Sequence, residues 1–143
     1  MVQVKQVANQ QQLDAAFEIR RKVFVVEQEV PAEEEYDEFE ESSRHFVAYT
    51  ADGLPCGTAR WRYTSKGIKL ERFAVLEEQR GKGAGAAIVQ KVLDDIAGQP
   101  DASGKTLYLH AQITAMPLYQ KFGFKPDGPE FLECGIRHYL MKK

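Results

Sequence analysis

The residues best placed to do chemistry lie in the run Arg80-Gly81-Lys82-Gly83-Ala84-Gly85. Before it, Ile68 to Val75 is rich in the β-branched and aromatic residues that suit a strand. After it, Ile88, Val89, Val92, Leu93 and Ile96 recur at the three-and-four spacing of an amphipathic helix. A glycine-rich turn entering a helix lets backbone N–H groups converge on an anion without interference from Cβ atoms. The helix dipole adds partial positive charge at the same point. Arg80 and Lys82 bring full charges, so the run is expected to bind a phosphate-bearing cofactor. It is not a P-loop, because Gly83 follows Lys82 where a Ser or Thr should hold magnesium. Gly81-x-Gly83-x-x-Ala86 matches a loose dinucleotide fingerprint, but Leu76 to Arg80 separates the strand from its first glycine. Nor does the strand Thr106 to Ala111 end in an acidic residue that could hold a ribose. A third pattern, Arg/Gln-x-x-Gly-x-Gly/Ala after a strand and at a helix start, is met letter by letter by Arg80 to Gly85.

The elements that must position this turn follow from periodicity. Met1 to Val7 alternates like a strand, and Gln11 to about Val26 reads as a helix with Leu13, Ala16, Phe17, Val23 and Phe24 on one face. Glu27 to Glu41 is acidic, either a solvated loop or short helix, or an acidic rim that attracts a cationic amine. His45 to Tyr49, Cys56 to Tyr63 and the strand ending at Val75 are joined by short turns, which implies an antiparallel meander. If the central helix is a crossover, Thr106 to Ala111 runs parallel to the strand ending at Val75. A short helix from Thr114 to Phe122 closes at Gly123, and Ile136 to Met141 supplies a last strand. Trp61 is expected as a cross-strand core aromatic. The fold class is α+β, a mixed and mostly antiparallel sheet with helices on both faces.

With 143 residues the chain reads as one domain, 1–143. A composition of 43% hydrophobic and 28% charged residues excludes disorder, and no apolar run is long enough to span a membrane. A formal charge of −2 argues against nucleic-acid binding as the main task. Cys56 and Cys134 make neither a disulfide framework nor a metal cluster, which points to a reducing, cytoplasmic setting.

About thirty residues beyond the glycine turn comes Ala115-Met116-Pro117-Leu118-Tyr119-Gln120-Lys121-Phe122-Gly123-Phe124. With both segments in order, the chain resembles the GNAT superfamily of acetyl-CoA-dependent N-acetyltransferases. The likeness covers almost the whole length. Arg20 to Val30 and Phe131 to His138 look like a short bacterial branch called YjcF-like or ElaA-like.

The resemblance implies a central strand pair that splays to admit acetyl-CoA. The amides of Gly81, Lys82, Gly83, Ala84, Gly85 and Ala86, with Arg80, would bind its diphosphate. The backbone of Phe73, Ala74 and Val75 would pair with the pantetheine arm, and an N–H near Val75 would face the developing oxyanion. Tyr119 resembles the family tyrosine that protonates the departing thiolate. Glu71 resembles a glutamate that some members use as base through a water. It shares a sheet face with Phe73 if no bulge intervenes, and an ordinary salt bridge is the other reading.

His110 stands where many relatives carry asparagine; it could contact CoA or the substrate, assist proton removal, or be a satisfied buried histidine. Cys134 and His138 raise a covalent acyl-cysteine route that direct attack makes unnecessary. The implied reaction is acetyl transfer to a primary amine of a small molecule or peptide. A catalytically idle acyl-CoA-binding module is the alternative. Glu27, Glu33, Glu34, Glu35 and Asp37 would favour a cationic acceptor if they face the cleft. Arg20, Arg21 and Arg60 could instead hold an acceptor carboxylate. A homodimer is compatible with such folds, and the sequence does not decide it.

Overall fold

Eight strands and four α-helices are defined by the computed structural model, which describes residues 2–143. In chain order they are β1 (Gln3–Gln6), α1 (Gln10–Arg20), α2 (Ala32–Glu35), β2 (Arg44–Tyr49), β3 (Pro55–Thr64) and β4 (Gly67–Val75). Then come α3 (Ala84–Ala97), β5 (Leu107–Gln112), α4 (Met116–Gln120), β6 (Lys125–Pro126), β7 (Phe131–Glu133) and β8 (Ile136–Lys142). The sheet order is β1-β2-β3-β4-β5-β8-β6, with β7 paired on β8. Among these pairs only β4 and β5 run parallel, because α3 carries the chain back across the sheet between them. The mixed, mostly antiparallel sheet expected from the sequence is therefore present.

Each face of the sheet has its own core. Ile88, Val89, Val92 and Ile96 of α3 and Tyr119 of α4 pack on one face with Phe46, Trp61, Ile68, Leu70 and Leu109. Ala16 and Ile19 of α1, followed by Val23 and Phe24, pack on the other face with Val47 and Ala74. Trp61 is a core residue as expected, and its indole N–H donates to Asp95 at 2.9 Å.

The helix read as continuous to Val26 changes character at Arg20. Residues Arg21–Glu27 form a π-helix whose wider turn ends with the Gln28 N–H bonded to the Val23 carbonyl at 3.0 Å. That widening aims Glu27 at Arg80 and Gln28 at Gln112, contacts of 2.6 Å and 2.9 Å.

Beneath α1 lies a buried charge network. Arg20 is 1% exposed and Arg60 is fully buried. Arg20 bonds Glu35 at 2.7 Å and both carboxylate oxygens of Glu40 at 2.8 Å. Arg60 bonds Asp37 through two nitrogens, Glu40 at 2.8 Å and Glu71 at 2.9 Å. Arg72 adds contacts to Glu35 and Asp37 at 3.3 Å. The acidic stretch is thus divided: it holds the short helix α2 and leaves Glu33, Glu34, Glu38 and Glu41 exposed, while three other acids turn inward. Glu35, Asp37 and Glu40 are structural counter-ions, taken inward because buried guanidinium groups need hydrogen-bonded partners.

This network predicts acid sensitivity. Burial opposes ionisation of Asp37, yet hydrogen bonds and charge from Arg60 hold its pKa at about 2, below the ordinary 3.8. Burial also opposes ionisation of Glu71, but Arg60, Arg62 and Lys69 hold it at about 2, below 4.5. Both groups bind protons more readily in the unfolded chain, so their stabilisation is complete above about pH 5 and is lost as pH falls toward 2. Glu35 offsets part of this, because burial raises its pKa despite Arg72 and Arg20. The denaturation midpoint should therefore fall steeply between pH 5 and pH 2, which urea titrations at stepped pH would measure. A flat profile would contradict it.

Candidate active site

Leucine and isoleucine at alternate positions commit the start of β4 to the α3 face, and a bulge then reverses the pattern. Thr58 pairs with Ala74 and Arg60 with Glu71, so Ala59 of β3 opposes two residues, Arg72 and Phe73. Arg72 takes the left-handed conformation at φ 60, which a non-glycine residue adopts only when its surroundings impose it. One inserted residue flips every later side chain. Glu71 consequently lies on the α1 face, whereas Phe73 and Val75 pack against the α3-side core. The shared face expected for Glu71 and Phe73 does not exist.

The two central strands also separate. The β4–β5 ladder holds only Ile68 with Leu107 and Lys69 with Tyr108. Beyond it the strands splay, and a cavity of about 710 Å³ opens there. Its walls include Glu71, Phe73, Ala74, Val75, Arg80, Gly81, Gly83, Ala84, Gly85, His110 and Tyr119. Of the sequence-predicted site residues, Lys82 and Ala86 are not among the walls.

Gly81 and Gly83 have φ of 79 and 87, and a Cβ built on either would meet nothing within 4 Å. The turn is therefore open on the side that a ligand would approach. The first main-chain bond of α3 is from Ala87 N–H to the Gly83 carbonyl, and no side chain caps the helix. The six preceding amides, Gly81 to Ala86, have no hydrogen-bond acceptor among the described residues. Such a row of convergent donors fits a diphosphate. Gly85 is small for another reason: a Cβ there would sit 3.2 Å from Leu118 of α4. Arg80 departs from expectation. Both of its terminal nitrogens bond Glu27 at 2.6 Å and its Nε donates to the Val75 carbonyl at 3.0 Å. It braces the turn against the π-helix, so its guanidinium is committed to protein partners.

Gly83→Ala should cost about 1 kcal/mol of stability through its left-handed backbone and weaken CoA binding about tenfold or more. Gly104→Ala, at φ 79 and equally open, is the matched control for strain. Calorimetric titration with CoA should separate them; equal affinities would mean that the turn does not approach the ligand.

Tyr119 is buried, with its ring edge-on to Phe73 at 5.4 Å and to Phe124 at 6.3 Å. Its hydroxyl has no protein partner among the described residues, yet it is not a sealed polar atom, so it opens on the cavity. Burial raises its pKa, which keeps the phenol protonated at neutral pH.

Glu71 is placed differently. Arg62 lies 2.6 Å, Arg60 2.7 Å and Lys69 3.3 Å from its carboxylate, which is held at about pKa 2. A carboxylate so committed is a poor proton acceptor. It anchors the network beside the cavity.

Of the acids expected to favour a cationic acceptor if they face the cleft, Glu27, Glu35 and Asp37 do line the cavity, Glu27 paired with Arg80 and the other two within the charge network. Glu33 is exposed, and Glu34 lies on the cavity wall. The carboxylate-binding alternative loses its residues, since Arg20 and Arg60 are consumed by the network and Arg21 pairs with Glu18.

His110 is half-buried, with Nδ1 3.1 Å from Glu133 and its ring edge-on to Phe131 at 5.1 Å. Sequence reasoning missed Glu133. It sits at the end of β7, before the two-residue turn Cys134-Gly135, both left-handed at φ 52 and 75. The Cys-Gly pair between two apolar stretches was the available hairpin signal. The Cys134 thiol is raised to about 11 by burial and by Glu34, so it stays protonated. An acyl-cysteine route gains no support.

No helix among the described residues is long and apolar enough to cross a membrane. Residues 4–143 match the family model described as an acetyltransferase (GNAT) domain. The chain is 45% identical over 136 residues to a protein named as an uncharacterized N-acetyltransferase, YjcF of Bacillus subtilis, covering 94% of each chain. It is 33% identical over 139 residues to ElaA of Escherichia coli, covering 92% of this chain and 87% of that one. The crystal structure of E. coli ElaA superposes with a TM-score of 0.80 at 26% identity, covering 100% of both chains. In fold alone, an acyl-CoA N-acyltransferase from Pseudomonas aeruginosa is similar, with a TM-score of 0.78 at 24% identity over 100% of this chain and 98% of that one. A splayed β4–β5 pair, an amide-lined turn at the start of α3 and a match over nearly the whole length agree, and the chain belongs to the GNAT acetyltransferase family.

Proposed function

We infer that the chain moves an acetyl group from acetyl-CoA to a primary amine of a small molecule or peptide, by direct attack of the amine on the thioester. The observation that carries this reading is one cavity whose wall joins Gly81, Gly83, Ala84 and Gly85 of the unpaired-amide turn to Tyr119 beside the open β4 edge. Acetyl-CoA, when bound, supplies the activated acetyl thioester. The amides of Gly81 to Ala86, with Lys82, hold its diphosphate. The backbone of Phe73 to Val75, released from β5 by the splay, offers hydrogen bonds to the pantetheine arm. Neighbouring β4 amides near Val75 serve the developing oxyanion. Tyr119 donates the proton that the leaving sulfur needs; its raised pKa makes it a reservoir that stays loaded at neutral pH.

The test has two stages. Thermal unfolding should shift upward with acetyl-CoA and CoA and remain unchanged with NADH. Incubation with acetyl-CoA and a panel of aliphatic amines, amino acids and lysine peptides, followed by thiol detection, should then show release. Stabilisation by acetyl-CoA without thiol release from any amine would make the protein an idle acyl-CoA binder. No stabilisation would remove the reading altogether.

A further inference from the structure

Acetyl transfer to an ammonium ion requires a proton acceptor on the side from which the amine arrives. Glu71 is withdrawn from that task by its three cations. Strand alternation shows which groups remain. Leu109 and Ala111 belong to the α3-side core with Tyr119, so His110 and Gln112 turn toward the α1 side. His138 of β8 pairs with Gln112 of β5 and with Phe131 of β7, which brings it to that same face. The splay is thus flanked by a phenol on one face of the sheet and by imidazoles on the other.

Around His110 the neighbours are specific. Glu133 of β7 accepts from its Nδ1 at 3.1 Å, and Phe131 packs edge-on against the ring. Tyr108 of the same strand stands 6.2 Å away, ring to ring. The other oxygen of Glu133 lies 3.7 Å from His138 Nε2, while His138 Nδ1 donates to the Ile136 carbonyl at 2.7 Å. Lys69 of β4 contributes positive charge at Glu133, and His110 lowers the Glu133 pKa through the hydrogen bond. Glu133 is therefore an ionised brace between two rings. With Nδ1–H committed to it, His110 presents Nε2 as a lone-pair acceptor. That atom has no partner among the described residues and is not sealed, so it is reachable from the cavity that His110 lines.

We propose that His110 is the catalytic residue that takes the proton from the acceptor amine, with Glu133 as the positioning residue that fixes its tautomer and orientation. The assignment rests on the acetyl-transfer reading. His110 Nε2 takes one proton from the ammonium, and the uncovered nitrogen lone pair forms the new C–N bond while the C–S bond breaks. The sulfur keeps that electron pair and takes the Tyr119 proton. The second proton leaving nitrogen returns the phenolate to phenol, and His110 releases its own proton to water.

The test compares two nucleophiles. With the panel's best aliphatic amine, His110→Gln should lower kcat/KM about 10²-fold. With hydroxylamine, which is neutral near physiological pH and needs no base, the same variant should retain turnover within about threefold. Acetyl-CoA affinity should be unchanged. Glu133→Gln should lose about tenfold with the aliphatic amine and, like His110→Gln, spare hydroxylamine, a selectivity that a merely structural role would not produce. Equal loss with both nucleophiles, or no loss with either, overturns the assignment while leaving acetyl transfer in place. A wild-type protein that releases thiol from no amine removes both.

Discussion

Arg60→Met is expected to lose about 3–5 kcal/mol of folding stability, the range for removing one partner from a buried ionic cluster. Arg60 is fully buried and its guanidinium contacts Asp37, Glu40 and Glu71 at 2.7–2.9 Å. Without it, Asp37, Glu40 and Glu71 lose the one cation they all share, in a site largely withdrawn from water. Methionine fills the volume but offers no donors. The cost therefore comes from stranded charge and not from a cavity. For a domain of this size the melting temperature should fall by roughly 10 °C or more.

Two comparisons isolate the cause. Arg62→Met touches the same Glu71 from the edge of the network and should cost much less. Arg21→Ala removes an exposed partner of Glu18 and should change the denaturation midpoint little. If Arg60→Met matched Arg21→Ala, the network would carry no stability and its acid sensitivity would have another source. The network also borders the cavity through Glu35, Asp37 and Glu71, so its loss should loosen that wall.

What the sequence made legible is local. The glycine turn and α3 could be read because left-handed glycine chemistry and helical periodicity act within a few residues. Ile88, Val89, Val92 and Ile96 are buried where the period puts them, and Leu93 packs partly buried against the same core. The meander of β2, β3 and β4 was legible for the same reason, through short turns between alternating stretches. The Arg72 bulge was not. It depends on register between two strands, and arginine carries no mark of a left-handed backbone; the one-residue slip alone moved Glu71 to the opposite face from Phe73. The acidic segment misled because its partners are remote. Arg20 meets Glu35 and Glu40, and Arg60 meets Asp37, across 15 to 23 positions of chain. Charge runs look solvated unless the opposite charges can be placed beside them. Glu133 escaped notice because a three-residue strand has too little alternation to read.

Tyr119→Phe should lower kcat by about 10²–10³-fold while leaving acetyl-CoA affinity within about twofold, since general-acid assistance spans that range. The surroundings make it a clean substitution. Phe73 and Phe124 hold the ring by edge contacts at 5.4 Å and 6.3 Å that phenylalanine keeps. The hydroxyl has no protein partner to strand, so the variant should fold as stably as the wild type. A fall in turnover therefore reports the missing proton. It also separates the two faces of the sheet: Tyr119→Phe should slow hydroxylamine as much as an aliphatic amine, because both expel the same thiolate. His110→Gln should spare hydroxylamine. A Tyr119→Phe variant that turns over both nucleophiles at the wild-type rate would make the phenol a packing group and move leaving-group protonation to solvent. Opposite nucleophile dependence in the two variants would assign one proton transfer to each face of the splayed strands.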